Sequence, residues 1–185
     1  MKYLQTGGFQ NQSLTRLTIL FTLLFLTAFW VSNFAMFFAK MGSTPQSIAD
    51  YYLGSEGAYT MPRTYQSMLE VTHGHLPMMA VVILLLTHLL IFAPYAFKTK
   101  VVLISTSFSL ALIQEAAGWL VRFGSPAFAW LKLTAFLGFQ AMLALLLVSL
   151  ALFLLGNGMR NDRNKPESMS NGQGSQKKKN MRARA

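Results

Sequence analysis

Three histidines, two of them within three residues, are the side chains with the clearest potential for chemistry in this sequence. His73 and His75 lie in EVTHGHLPMM at residues 70–79, and His88 follows. Glu70 precedes His73 by three residues, so the two side chains would share one face of a helix. Such a Glu-x-x-His pair is how a bundle helix offers a carboxylate and an imidazole to a metal ion. The segment predicts a ligand site, in competition with a simpler interpretation as the polar edge of a membrane helix.

A transition-metal centre would draw on four candidate ligands, which are Glu70, His73, His75 and Glu115. On a regular helix, His73 and His75 would point about 200° apart and would not chelate one ion together. Pro77 frees the carbonyl of His73, so a kink or a late helix start there would let both imidazoles reach one ion. Met78 and Met79 follow, and thioether with imidazole would suit copper.

Haem is the third possibility for these histidines. His73 and His88 would lie about 60° apart around a helix and about 22 Å apart along it. In a chain with four long apolar spans, this spacing resembles one helix of the four-helix membrane b-type cytochromes, whose histidines near each surface ligate two stacked haems. The resemblance implies haem b, with His73 and His88 as ligands; Arg122 could then pair with its propionates. The other spans carry no histidine, so the second ligand would come from another copy of the chain, from Met or from water.

His88 also has an interpretation without a ligand. It lies about two helical turns before Pro94, near the end of its span. A neutral imidazole there could donate to a carbonyl one turn back, or bond with Thr87 or Ser107. Both interpretations stay open at this point.

Four apolar spans must position these residues, at about 17–38, 71–93, 101–121 and 127–155. Each is long enough to cross a hydrocarbon core of ~30 Å as a helix. Backbone polar groups have no partners in lipid other than each other, so the spans should be α-helical. We therefore predict an all-α integral membrane four-helix bundle over residues 17–155. The first span is longer than a signal-peptide core, and we interpret it as a retained helix.

The connection at 39–70 is long for a helical bundle, in which such loops usually have about 2–8 residues. Within it, TPQSIADYYLG is typical of a short amphipathic helix: Thr44 caps it, Pro45 suits its first position and Gly54 ends it. This helix could pack over the bundle at the membrane interface, or it could cover a site or dock a partner.

Basic residues predict the orientation. Lys and Arg occur in the N-terminal arm at 1–16, in the connection at 98–100 and in the tail at 156–185. By the positive-inside rule both termini are expected in the cytoplasm, with the loop at 39–70 outside. If the cell is bacterial, this is the inner membrane.

The net charge of +10 arises largely from the tail, where residues 156–185 hold eight Lys/Arg and two Asp/Glu. This segment lacks apolar periodicity and is predicted to be disordered. Beside a membrane helix, such charge favours contact with anionic lipids rather than nucleic acid, because no aromatic residue accompanies it. The chain has no cysteine, which excludes disulfides, iron–sulfur clusters and thiol catalysis.

Depth along the spans predicts that the polar residues converge near the outer surface. The members of this layer are Glu70, His73, His75, Gln114, Glu115, Arg122 and Lys132. Ionisable groups within membranes usually face a bundle interior or a cavity. Two functions fit: a haem- or metal-binding electron-transfer subunit, for which a quinone is a candidate partner, or an accessory or assembly subunit without a cofactor. Either would act as a homo-oligomer or within a larger membrane complex.

Overall fold

The computed structural model describes residues 13–163, and the side chains of residues 14–155. Five α-helices make up this part of the chain: α1 Ser13–Met41, α2 Pro45–Leu53, α3 Tyr65–Leu90, α4 Phe97–Phe123 and α5 Ala129–Arg163. One turn of 3₁₀-helix, Pro126–Phe128, precedes α5. Within the described residues the only β-type pairing is an isolated bridge between Ser55 and Thr60.

Four of these helices, α1, α3, α4 and α5, are long and apolar enough to cross a membrane. The prediction of an all-α membrane four-helix bundle is confirmed. Each helix runs past its predicted span at one end or both, and α5 continues to Arg163, inside the segment predicted to be disordered. The rest of that tail, residues 164–185, and most of the N-terminal arm lie outside the described residues. The cytoplasmic location of the termini remains a prediction.

The short helix α2 forms as the sequence predicts. The Thr44 side chain accepts from the Ser47 amide, Pro45 takes the first position, and Gly54 ends the helix at φ 83°. That φ lies in the left-handed region, where glycine has no steric penalty. The buried side chains of Ile48, Ala49 and Tyr52 pack α2 onto the end of the bundle, which we call the α2 end.

Helix α3 begins earlier than the sequence suggested. In SMLE at residues 67–70, Ser67 and Glu70 have the spacing of a capping box, which predicts a helix start near Met68. The N-cap is instead Thr64, whose hydroxyl accepts from the Ser67 amide. The expected box is wrong because Thr64 is already placed to cap a helix that starts at Tyr65. Pro77 lies inside the continuous helix, so it neither starts the helix nor interrupts it.

The core has two parts, stacked along the bundle. The part at the α2 end includes Phe37 and Phe136, whose rings stack at 3.7 Å. The other part gathers leucines of α3 and α5, including Leu86, Leu90 and Leu146. Helices α4 and α5 form the most extensive interhelical contact and α1 packs chiefly on α5, whereas α1 and α3 make few contacts. The space that remains between α1 and α3 is the feature that positions the candidate site.

A candidate ligand-binding cavity with a charged inner wall

The most buried carboxylate of the described chain is that of Glu115 on α4, which is only 8% exposed. The Thr72 hydroxyl donates to its Oε1 at 2.6 Å, and Nδ1 of His75 lies 3.4 Å from its Oε2. Thr72 and His75 are three residues apart and share one face of α3. Helix α3 therefore holds both carboxylate oxygens of a residue on its neighbour.

Trp119 fixes the direction of the Thr72 hydroxyl. Its indole N–H donates to Thr72 Oγ1 at 2.9 Å, and it lies one turn after Glu115 on α4. A hydroxyl has a single proton to donate, so Thr72 accepts from Trp119 and gives its own proton to Glu115. The three side chains form an ordered chain of hydrogen bonds between α3 and α4.

A buried cation accompanies the carboxylate. Lys132 on α5 is 6% exposed, and its Nζ donates to the backbone carbonyl of Gln114 at 2.8 Å. Lys132 and Glu115 attract each other electrostatically, so the charges of these two buried residues offset each other. Oppositely charged neighbours are what make two ionised groups tolerable at membrane depth.

These groups line a cavity of about 420 Å³ between α1 and α3. Its inner wall carries Glu115, Lys132 and Gln140, and the rings of Phe29, Phe136 and Phe139 line it as well. Gln140 lies 11 residues into α5, which is about 16 Å from the α2 end at the helical rise per residue. The cavity therefore reaches about halfway through a hydrocarbon core of ~30 Å.

Residues 42–161 match the family model Aq_1264_TM, whose description is a transmembrane helical domain. The match spans more than half of the 185 residues. The chain belongs to this family. No curated protein and no solved structure gives a significant match. The family confirms an integral membrane helical protein; it does not confirm the resemblance to b-type cytochromes, which stays a prediction.

The region matched by Aq_1264_TM includes α2, which closes the cavity at its end. Tyr52 lines the cavity, and its hydroxyl lies so close to Gly118 that a Cβ there would come within 2.8 Å of it. Burial raises the pKa of Tyr52 above its ordinary value, and the nearby Tyr51 and Glu115 act in the same direction. Tyr52 thus remains a neutral phenol, packed directly on α4.

Two arginines hold the loop after α2 in place against α2 and α4. Arg63 stacks its guanidinium over the ring of Tyr51 at 4.3 Å, and its carbonyl accepts from Arg122 Nε at 2.5 Å. The Arg122 guanidinium also lies over the ring of Phe123. Arg122, predicted as a partner of haem propionates, therefore has a structural contact that holds the loop to α4.

The structure brings together some of the sequence-predicted site residues and separates others. His75, Gln114, Glu115 and Lys132 meet at the cavity. Glu70 is exposed and accepts from Gln66 instead, and His73 is exposed on the same helix. The expected convergence of all seven residues is thus only partly observed. Within residues 13–163, no group of three or more His, Asp or Glu side chains is placed to hold a metal ion.

His88 lies apart from the cavity. Its ring is exposed and meets Phe92 edge-on at 5.7 Å. The hydroxyls of Thr87 and Ser107, expected as alternative partners, donate to carbonyls one turn back in their own helices.

Sequence reasoning missed three residues of the site: Thr72, Tyr52 and Gln140. A signal was present for Gln140, since it interrupts the most apolar span of the chain. The sequence contained no such signal for Thr72, because threonine is common at the ends of membrane helices. The contact of Tyr52 depends on how α2 folds back over α4, which no local pattern encodes.

Proposed function

We propose that this protein binds the polar head of a lipid-soluble small molecule in the cavity between α1 and α3. The proposal rests on one observation: a cavity of about 420 Å³ at membrane depth exposes the buried side chains Glu115, Lys132 and Gln140 on its inner wall. Ionisable residues at such depth are costly, and they typically mark ligand or ion pathways. Small-molecule sites usually have ~300–1,000 Å³ and a few polar groups among apolar walls.

Unused hydrogen-bonding capacity supports binding. An ammonium group has three donors, and Lys132 uses one of them on the Gln114 carbonyl. The side-chain oxygens of Gln114 and Gln140 are buried and have no hydrogen-bond partner among the described residues. An unsatisfied buried polar atom costs about 1–3 kcal/mol, which a bound polar head would recover.

The route of entry supports a lipid-soluble ligand. Helices α1 and α3 make few contacts with each other, so the cavity is flanked by a seam between them. Met36 on α1 and Met78 on α3 line it and are each more than half exposed. Methionine side chains are flexible and polarisable, so they can adapt to an entering molecule. A ligand dissolved in the bilayer would reach the polar wall through this seam.

The absence of cysteine from the sequence allows a direct test with single-cysteine variants. Met78→Cys would place a thiol in the cavity, and the matched Ala80→Cys would place one on the exposed face of α3 that does not line it. Thiol reagents react with the thiolate, which does not form in hydrocarbon. In phosphatidylcholine discs we expect a charged methanethiosulfonate to label Met78→Cys much faster than Ala80→Cys. A protein-free lipid extract of the host membrane should slow only the first reaction.

Gly74 offers a way to fill the cavity without a clash. It lines the cavity, and an added Cβ would meet no atom within 4 Å. Gly74→Leu should abolish the protection by lipid extract while the protein keeps its melting temperature, because leucine is a better helix former than glycine. Equal labelling of the two cysteines, or protection that survives Gly74→Leu, would contradict ligand binding in this cavity.

Haem or metal binding with electron transfer remains a separate prediction. His73 and His88 are both exposed on α3, so a haem held by either of them would lie outside the bundle, against another polypeptide. For a metal, the structure pairs His75 with Glu115 only. An absorption spectrum of the purified full chain, repeated for His73→Ala and His88→Ala, tests the haem, and metal analysis tests the ion. The accessory-subunit alternative predicts a colourless, metal-free protein.

A further inference from the structure

The chemistry of the cavity wall restricts the class of ligand. We infer that the cavity takes the head of a quinone or its quinol, a flat ring that carries oxygen at both ends; this rests on the proposed function. Three features point to it: opposite charges that balance on the buried part of the wall, aromatic walls, and hydrogen-bonding groups at two separate depths.

The charge balance favours a neutral head. Glu115 and Lys132 are the buried residues of the cavity wall that carry a charge, and the two charges are opposite; the buried Tyr52 is neutral. Lys40 and Arg63 also line the cavity, at its α2 end. A phosphate or carboxylate head placed deeper, between Lys132 and Gln140, would bring a second negative charge toward Glu115 in a region of low dielectric, where like charges repel strongly. Quinones are neutral when oxidised, and quinols are neutral when fully reduced. Both forms leave the existing balance unchanged.

Aromatic side chains favour a flat ring. Phe136 and Phe139 line the cavity between the levels of Lys132 and Gln140, and Phe29 of α1 lines it as well. Aromatic rings prefer offset-stacked or edge-to-face contacts, worth about 0.5–1.5 kcal/mol beyond area burial. A ring between these walls would gain such contacts, whereas a lipid acyl chain would gain burial alone.

The hydrogen-bonding groups lie above and below these rings. Lys132 and Gln140 are eight residues apart on α5, so their backbones are separated by about 12 Å along the helix. Lys132 is a donor with spare N–H groups, and Gln140 Oε1 is a buried acceptor without a partner among the described residues. Two polar groups that flank aromatic walls match a molecule with oxygen at opposite ends of a ring. A quinol hydroxyl can donate to Gln140, and the oxygen at the other end accepts from Lys132.

Trp30 provides a reporter beside the inner end of this site. Its indole N–H donates to the backbone carbonyl of Gln140 at 2.9 Å. Decylubiquinone, a benzoquinone head with a ten-carbon tail, should quench tryptophan fluorescence saturably in phosphatidylcholine discs that contain the full chain. It should also protect Met78→Cys from labelling, and Gly74→Leu should remove both effects.

Substitution of Gln140 tests the contact itself. Gln140→Leu keeps a similar volume and removes an acceptor that has no partner among the described residues, so folding should be preserved. Loss of one hydrogen bond should weaken the binding of reduced decylubiquinone roughly tenfold. Thr134→Val is the matched control, because Thr134 lies exposed on the same helix and should leave the affinity unchanged.

The outcomes separate this inference from the proposed function. If phosphatidylglycerol in the discs protects Met78→Cys and decylubiquinone does not, the quinone assignment is overturned and ligand binding stands. If neither decylubiquinone nor phosphatidylglycerol protects Met78→Cys, and the lipid extract gives no protection either, the quinone assignment and the proposed ligand binding are both overturned. Equal effects of Gln140→Leu and Thr134→Val would also overturn the inference.

Discussion

The hydroxyl of Thr72 on α3 donates to the carboxylate of Glu115 on α4 across 2.6 Å, the shortest side-chain hydrogen bond between two described helices. The same oxygen accepts the indole N–H of Trp119. One threonine thus connects the buried charge of the bundle to an aromatic anchor one turn away.

Thr72→Val should destabilise the protein by about 1–3 kcal/mol, because it leaves a carboxylate oxygen and an indole N–H without partners. Thr72→Ser keeps the hydroxyl and should remain close to the original stability. Thermal unfolding of the detergent-solubilised protein, followed by circular dichroism, measures the difference. Equal melting temperatures for the valine and serine variants would show that the hydroxyl contributes nothing.

Glu115 and Lys132 should be coupled in stability. Glu115→Gln leaves a buried ammonium without its counter-charge, and Lys132→Met leaves a buried carboxylate, so each single change should be strongly destabilising. The double variant should lose less than the sum of the two. A double-mutant cycle of unfolding free energies measures the coupling. Additive losses would mean that the two charges do not interact.

The contact between Tyr52 and Gly118 predicts that a substitution of Tyr52 will restore the stability lost by a substitution of Gly118. Gly118→Ala would bring its Cβ within 2.8 Å of the Tyr52 hydroxyl, so α2 must shift and stability should fall. Tyr52→Phe removes the clashing oxygen and should restore most of the loss when combined with Gly118→Ala. Melting temperatures of both singles and the double test this, and a double variant no more stable than Gly118→Ala would contradict the contact.

Tyr52 should also make the folded protein less stable at alkaline pH. Its pKa is raised by burial above the ordinary value near 10, so the folded state holds this proton more tightly than the unfolded state. The stability linked to it is complete below pH ~10 and is lost as the pH rises toward the folded pKa. Melting temperatures from pH 8 to 11 should fall less steeply for Tyr52→Phe than for the original chain. Tyr59→Phe, at a site 96% exposed, is the control and should leave the slope unchanged.

The predicted orientation is open to cysteine labelling in intact cells. Tyr59→Cys, in the loop after α2, should react with a membrane-impermeant maleimide from outside. Thr99→Cys lies exposed at the opposite end of the bundle and should react only after lysis. The reverse pattern would place both termini outside.

Much of this architecture follows from local sequence. Four long, predominantly apolar stretches determine four helices, because a backbone in lipid has no other way to satisfy its polar groups. The cap Thr44 and the terminator Gly54 determine α2 in the same local way. The depth of Glu115 and Lys132 also follows from sequence, since the helical rise converts residue number directly into distance.

Rotation of the helices was decided by the tertiary structure alone. Helix α3 is apolar on most of its surface, so hydrophobic periodicity does not indicate which side faces the bundle. Packing against α4 brings Thr72 and His75 into contact with Glu115, although the His75 ring stays largely exposed. His73 and Glu70 point away from Glu115, because each residue along a helix turns its side chain by about 100°. The loose contact between α1 and α3, which creates the cavity, likewise depends on how all four helices pack against one another. The sequence supplied the polar residues and their depth; tertiary packing selected those that share a site.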